Sequence, residues 1–255
     1  MGSVALPDRP LSVGELLDAA VELLRTRAKA LLGIGLVLAV LEQAALAPLW
    51  ADRVAFWSSP TSYLPWLAVG LGCESLAIGL LAVYAGRTAR TALGGTPGGV
   101  ALPIFTAVLV ALVMVTSAFA FGVPWVVAYA LLGFAVPAVV IDRARNSFGR
   151  SARLVAAGGM RAGMIRLLGY GAWLGIRLAF AFAAKKLLDE VFDIDDPLAT
   201  AAIWALINGI AYPALACLDV VAHVENRIRV EGLDIELGRA RATGRPADAV
   251  LGEAR

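Results

Sequence analysis

One histidine and two cysteines are all that the chain offers toward a metal or redox centre. A zinc site needs three or four such ligands held together, so His223 with its neighbour Asp219 falls short. At i and i+4 the two share a helix face and read as an interfacial hydrogen-bonding pair. Cys73 and Cys217 lie far apart inside apolar runs, unlike a secreted disulfide framework, and fit small packing residues. No phosphate-binding loop, zincin pattern, nucleophile elbow or dinucleotide fingerprint occurs. The stretch Gly94-Gly95-Thr96-Pro97-Gly98-Gly99 lacks the lysine of a phosphate loop and reads as a flexible turn. No catalytic residue, cofactor or metal is therefore assigned. Charge is scarce too, at 16% of residues against about a quarter in soluble domains, and nothing supports nucleic-acid binding.

What is abundant is apolar sequence: 60% of residues, with a mean hydropathy of +0.78. It is gathered into runs of the length that crosses a bilayer, about twenty residues: Ala30 to Trp50, Tyr63 to Ala85, Val100 to Phe121, a shorter Pro124 to Ile141, Met164 to Ala184, and Leu198 to Val221. Gly122-Val123-Pro124 separates the third and fourth runs and predicts a tight turn. Of the 22 lysines and arginines, eighteen fall before the first run, after the second and fourth, and in the tail, while Arg53, Lys185 and Lys186 lie on the other side and Arg177 within a run. Basic residues mark cytoplasmic loops, so six crossings of an inner membrane with both termini cytoplasmic are expected. A cleaved signal ending at Ala45-Leu46-Ala47 is the weaker reading, since its basic region begins too late.

The fold class is accordingly all-α: a polytopic helical membrane protein with about six transmembrane helices plus an N-terminal amphipathic helix. Ser12-Val13-Gly14-Glu15 has the form of a capping box. Val13, Leu16, Leu17, Ala20, Val21 and Leu24 then recur at helical spacing opposite Glu15, Asp18, Glu22 and Arg25, which places the helix in the interface plane, packed on the protein's own cytoplasmic face. The division expected is a disordered segment 1–10, this helix over 11–27, a six-helix domain over 28–222, and a C-terminal helix and tail over 223–255, fraying after Leu237. Arg143, Arg145, Arg150, Arg153, Arg161 and Arg166 crowd the loop from Asp142 to Gly163. They either fix topology or meet anionic lipid headgroups, the partner this loop could take.

Ionisable residues inside a span are costly and need partners. Helical rise puts Glu74, Arg177 and Asn208 near the midplane, with Glu42 nearer the outer side, and predicts that Glu74, or second to it Glu42, pairs with Arg177. This layer either holds spans two and five together or lines a route for a proton, ion or lipid headgroup. Pro137 and Pro213 could break helices, as transporters do, but no internal repeat is seen.

Three segments resemble the membrane domain of glycerophosphoryl diester phosphodiesterases, a bacterial family with stand-alone members: Arg9-Pro10-Leu11-Ser12-Val13-Gly14-Glu15-Leu16-Leu17-Asp18-Ala19-Ala20; Pro137-Ala138-Val139-Val140-Ile141-Asp142 with Gly149-Arg150-Ser151-Ala152-Arg153-Leu154-Val155; and a closing signature, Arg227-Ile228-Arg229-Val230-Glu231-Gly232-Leu233-Asp234. The resemblance implies a fold and a location. The diesterase activity of that family resides in a separate soluble barrel, for which this chain has no room. The expected role is a non-enzymatic scaffold or accessory subunit for an unknown protein partner in envelope or lipid-related work; the alternative is a small transporter or channel using Glu74, Arg177 and Asn208.

Overall fold

The computed structural model describes residues 6–51, 60–119 and 123–252, and among these it is helical with no strand. Ser12 and Glu15 form the capping box: the Glu15 amide donates to Ser12 Oγ at 3.3 Å and the Ser12 amide to Glu15 Oε2 at 2.8 Å. That box starts α1 (Val13–Thr26), which buries Leu16, Ala20 and Leu23 mainly against the last long helix. After α1 come α2 (Ala28–Ala45), the short α3 (Ala47–Ala51), α4 (Pro60–Ala92) and α5 (Ala101–Ala118).

The fourth apolar run is two helices, α6 (Val123–Leu132) and α7 (Ala135–Asp142). Pro124 stands in the first turn of α6, where its missing N–H costs nothing; of the expected turn, Gly122 lies outside the described residues. The run breaks at Gly133-Phe134 and not at Pro137, because Pro137 occupies the first turn of α7 and is tolerated there for the same reason. Pro213 likewise does not break its helix.

The loop expected from Asp142 to Gly163 contains α8 (Ser147–Ala157), begun by Asn146, whose side chain accepts from the Gly149 amide at 3.0 Å. Its positions 150, 151, 154 and 155 are buried, so helical periodicity rather than loop composition governs this stretch. Then follow α9 (Arg161–Phe192) and α10 (Pro197–Glu231). The latter starts on Asp196, which caps the Leu198 amide at 3.0 Å, and stops at Gly232, φ 66°, a left-handed conformation that a side chain disfavours.

Helix α10 is the axis of the molecule. It packs on α1, α2, α4 and α9, and its 35 residues reach about 52 Å, well beyond a hydrocarbon layer of about 30 Å. The boundary expected after residue 222 therefore falls inside one unbroken helix, whose residues 215–228 are all buried. Close approach sets the register with α2: a methyl on Gly35 would stand 2.6 Å from Pro213 Cγ, and one on Gly209 3.1 Å from Leu36 Cα.

Six stretches among the described residues are long and apolar enough to cross a membrane: Ala28–Ala45, Ser62–Ala92, Ala101–Ala118, Val123–Asp142, Arg161–Phe192 and Pro197–Glu231. Their polarity is inverted relative to a water-soluble protein. Large apolar side chains such as Leu41, Phe105, Leu112 and Phe182 point outward while Glu74, Arg177 and Asp219 are inside. The chain is a multi-pass helical membrane protein. Leu11 touches Arg229, and Asp248 touches Arg90 at the end of α4, so both described termini lie at one end of the bundle, here called the arginine-rich end.

That end is tightly built, including the segment expected to fray. The expected tail forms α11 (Leu233–Thr243) and α12 (Ala247–Leu251), and α12 buries Val250 and Leu251. At the other terminus, Leu6 packs against the core and Pro7 is buried without regular structure.

Candidate functional site

Glu74, Arg177, Asn208 and Glu42, the intramembrane candidates, form two adjoining clusters. Arg177 on α9 sets Nη1 3.0 Å from Glu74 Oε1 on α4, the first of the two pairings considered. Tyr170, two turns earlier on α9, donates its hydroxyl to Glu74 Oε2 at 3.2 Å, and the guanidinium stands 5.3 Å from the Tyr170 ring centroid and 5.8 Å from that of Tyr212. Cation and carboxylate thus share one buried site, where an isolated charge would be very unfavourable.

Asn208 does not join that pair. Its Nδ2 donates to Glu42 Oε2 on α2 at 2.9 Å, and Tyr212 donates to the same carboxylate at 2.7 Å. The α2–α10 register, set by the Gly35 and Gly209 contacts, decides this and leaves no mark in either helix's own sequence. Several buried polar atoms around the two clusters have no hydrogen-bond partner among the described residues: Arg177 Nε and Nη2, Asn208 Oδ1, Tyr129 OH and Trp125 Nε1. Trp125 stacks on Tyr129 and both meet a tilted Tyr170 ring, with centroids 5.0–5.2 Å apart.

Toward the arginine-rich end, the break in the fourth span has its own chemistry. Arg166 Nε lies 2.6 Å from Asp219 Oδ1, and its Nη1 donates to the Tyr129 carbonyl in the last turn of α6. Ser151 accepts from the Phe134 amide at 3.1 Å and donates to the Leu131 carbonyl. Gly133 has no side chain in the one place where a methyl would overlap the Arg166 guanidinium. Sequence reading missed this constellation, since its signal is a glycine answered by an arginine from another helix.

Farther out, Asp142 at the end of α7 accepts from Arg150 at 3.0 Å and Arg227 at 2.9 Å, and stands 3.0 Å from His223 Nε2. Glu231 binds both arginines, 2.8 Å from Arg227. His223 therefore pairs with Asp142, while Asp219, its expected companion, is taken by Arg166. Glu225 holds Arg161 at 3.0 Å and also Arg229, and both arginines donate to the Leu11 carbonyl. Arg90 reaches the Thr96 carbonyl at 2.7 Å, the Ile141 carbonyl and Asp248. Arg143 donates to Thr96 Oγ1 at 2.9 Å. Asp248 in turn accepts from the Thr96 hydroxyl and amide, at 2.6 and 3.0 Å. The Thr96 hydroxyl and amide, then Arg90, hold its carboxyl down to about 2. The glycine-rich stretch expected to be a flexible turn is thus the receptor for α12.

Two of the six loop arginines proposed for headgroups, Arg150 and Arg166, are buried in ion pairs, because carboxylates on α7 and α10 lie within reach. Arg143, Arg145 and Arg153 are exposed, and Arg161 is about a third exposed. In the closing signature, Arg227, Arg229 and Glu231 are ion-paired as above, Gly232 ends α10, and Asp234 stands in the first turn of α11. Cys73 and Cys217 are free thiols. Arg53 and Arg255 lie outside the described residues.

Comparison with family models, curated proteins and solved structures gives no match.

Proposed function

We propose that this chain is a non-enzymatic membrane scaffold or accessory subunit of a bacterial inner membrane, with its arginine-rich end in the cytoplasm and facing a protein partner. One observation carries the reading: the ion pairs and hydrogen bonds of that end tie α4, α7, α8, α9, α10, α12 and the segment before α1 to one another, which makes a rigid surface. Cavities of 350 and 410 Å³ open on it, beside Arg153 and Glu236 and beside Asp8 and Arg241. Kinship with the membrane domain of the phosphodiesterase family remains part of the same proposal, resting on the three quoted segments.

A second reading, a small transporter or channel, is favoured by the unpartnered donors of Arg177 at the midplane, since a polar route requires groups that the protein itself does not satisfy. Substitution of the Glu74–Arg177 pair separates the two. As a scaffold element, Glu74→Gln and Arg177→Met each lower the amount of folded protein, and the double substitution recovers it, because two apolar or neutral groups replace a buried pair more easily than one charge is left alone. Ion or lipid flux into proteoliposomes that depends on Arg177, at unchanged protein levels, would favour transport instead.

A further inference from the structure

Between α1 and the spans α9 and α10 runs an apolar groove of 420 Å³. Leu17 and Val21 of α1 line one wall; Ile165, Ala172 and Ile176 of α9 and Leu218 of α10 line the other. Leu17 and Val21 are left 44% and 50% exposed by it. The amphipathic helix therefore has two apolar rows, of which only Leu16, Ala20 and Leu23 are covered by protein.

The polar mouth of the groove tells what covers the other row. Arg161 is one helical turn before Ile165 on α9, and Glu225 and Arg229 continue the row of Leu218 along α10, so the wall that is apolar at one end is cationic at the other. Two guanidiniums there share one carboxylate, Glu225, itself 1% exposed, and one carbonyl, that of Leu11. The balance is one net positive charge. Arg9 and Glu15 nearby neutralise each other, 2.5 Å apart. The Arg161 and Arg229 side chains remain 31% and 35% exposed, and Arg161 Nε and Arg229 Nη1 donate to nothing among the described residues.

Length agrees with charge. From Arg161 to Ile176, the neighbour of the midplane Arg177, is about 22 Å of helix, which matches about 15 Å of half-bilayer hydrocarbon plus the headgroup zone. We propose that this groove binds an anionic phospholipid, with an acyl chain between α1 and α9 and the phosphate on Arg161 and Arg229. The site would anchor the amphipathic helix through bound lipid and make its docking sensitive to headgroup charge.

The test uses the purified full-length chain in detergent, with phosphatidylglycerol and phosphatidylcholine as probes. Phosphatidylglycerol raises the thermal midpoint more than phosphatidylcholine. Arg229→Gln weakens phosphatidylglycerol binding about fivefold and leaves phosphatidylcholine unchanged, and Ala172→Trp, which fills the groove, abolishes retention of either lipid in native mass spectrometry. Should Arg229→Gln unfold, Trp173 on the groove wall reports in the wild type. In nanodiscs of brominated phosphatidylcholine, one part in ten of unbrominated phosphatidylglycerol restores its emission, isolated by difference from Trp173→Phe, where unbrominated phosphatidylcholine does not. Equal responses to the two lipids overturn the proposal. So does efficient cross-linking between two copies through Ala172→Cys in native membranes, which would assign the groove to a second copy.

Discussion

Gly133 lacks a side chain where Arg166 needs the space, and the guanidinium bonds to the last turn of α6. Gly133→Ala is expected to push Arg166 off both Asp219 and the Tyr129 carbonyl. Breaking a buried pair by displacing one partner costs about 3 kcal/mol or more, so the thermal midpoint in detergent should fall steeply. Gly171→Ala is the control, since nothing lies within 4 Å of the added methyl, and it should leave the midpoint in place. In the cluster adjoining the Glu74–Arg177 pair, Glu42 accepts from both Asn208 and Tyr212. Glu42→Leu orphans two buried donors, each worth about 1–3 kcal/mol, whereas Glu42→Gln keeps an acceptor and should lose clearly less on the same measurement.

Among the elements, α12 makes the most exposed prediction. Its hold on the α4–α5 loop runs through Asp248, whose carboxyl the Thr96 hydroxyl and amide and Arg90 keep at about 2. A depressed carboxyl lends stability that is fully present above its ordinary value, near 3.8, and is lost as the pH falls through the folded value. A spin label at Gly252→Cys should therefore stay immobile from pH 7 down to about 4 and loosen progressively from there to about 2, while Asp248→Asn should loosen it at every pH. The sequence gives little warning of this element. A segment rich in alanine, glycine and charge reads as a loose end, and its order comes from Thr96, 152 positions away. Helix α1 is the opposite case: capping box, apolar row and length are all local, so the helix could be read directly. Span positions and the Glu74–Arg177 pair were legible for a related reason, since charges are so rare in the spans that few partners exist. The break at Gly133 and the Asn208–Glu42 pairing were not, because side chains from other helices decide both.

On the scale of the whole molecule, several of the arginines that mark orientation, among them Arg90, Arg150, Arg161, Arg166, Arg227 and Arg229, also close the ion-pair network. This does not weaken the orientation argument, for the bias of basic residues toward the cytoplasm counts lysine and arginine while aspartate and glutamate contribute little. Pairing with Asp142, Glu225, Glu231 and Asp248 joins segments far apart in the chain, up to 158 positions for Arg90 and Asp248, and requires the bundle to be assembled, whereas the bias acts on each loop as it meets the membrane. Two sites at opposite ends of α8–α9 and outside the arginine-rich network test it: Arg153, exposed on α8, and Lys186, 71% exposed toward the far end of α9, where it faces Glu190 one turn along. A membrane-impermeant maleimide should label Lys186→Cys in intact cells and Arg153→Cys only after permeabilisation. The reverse pattern would invert the protein in the membrane, and labelling of both from one side would mean that α9 does not cross it, which the buried Glu74–Arg177 pair and the apolar surface around it both oppose.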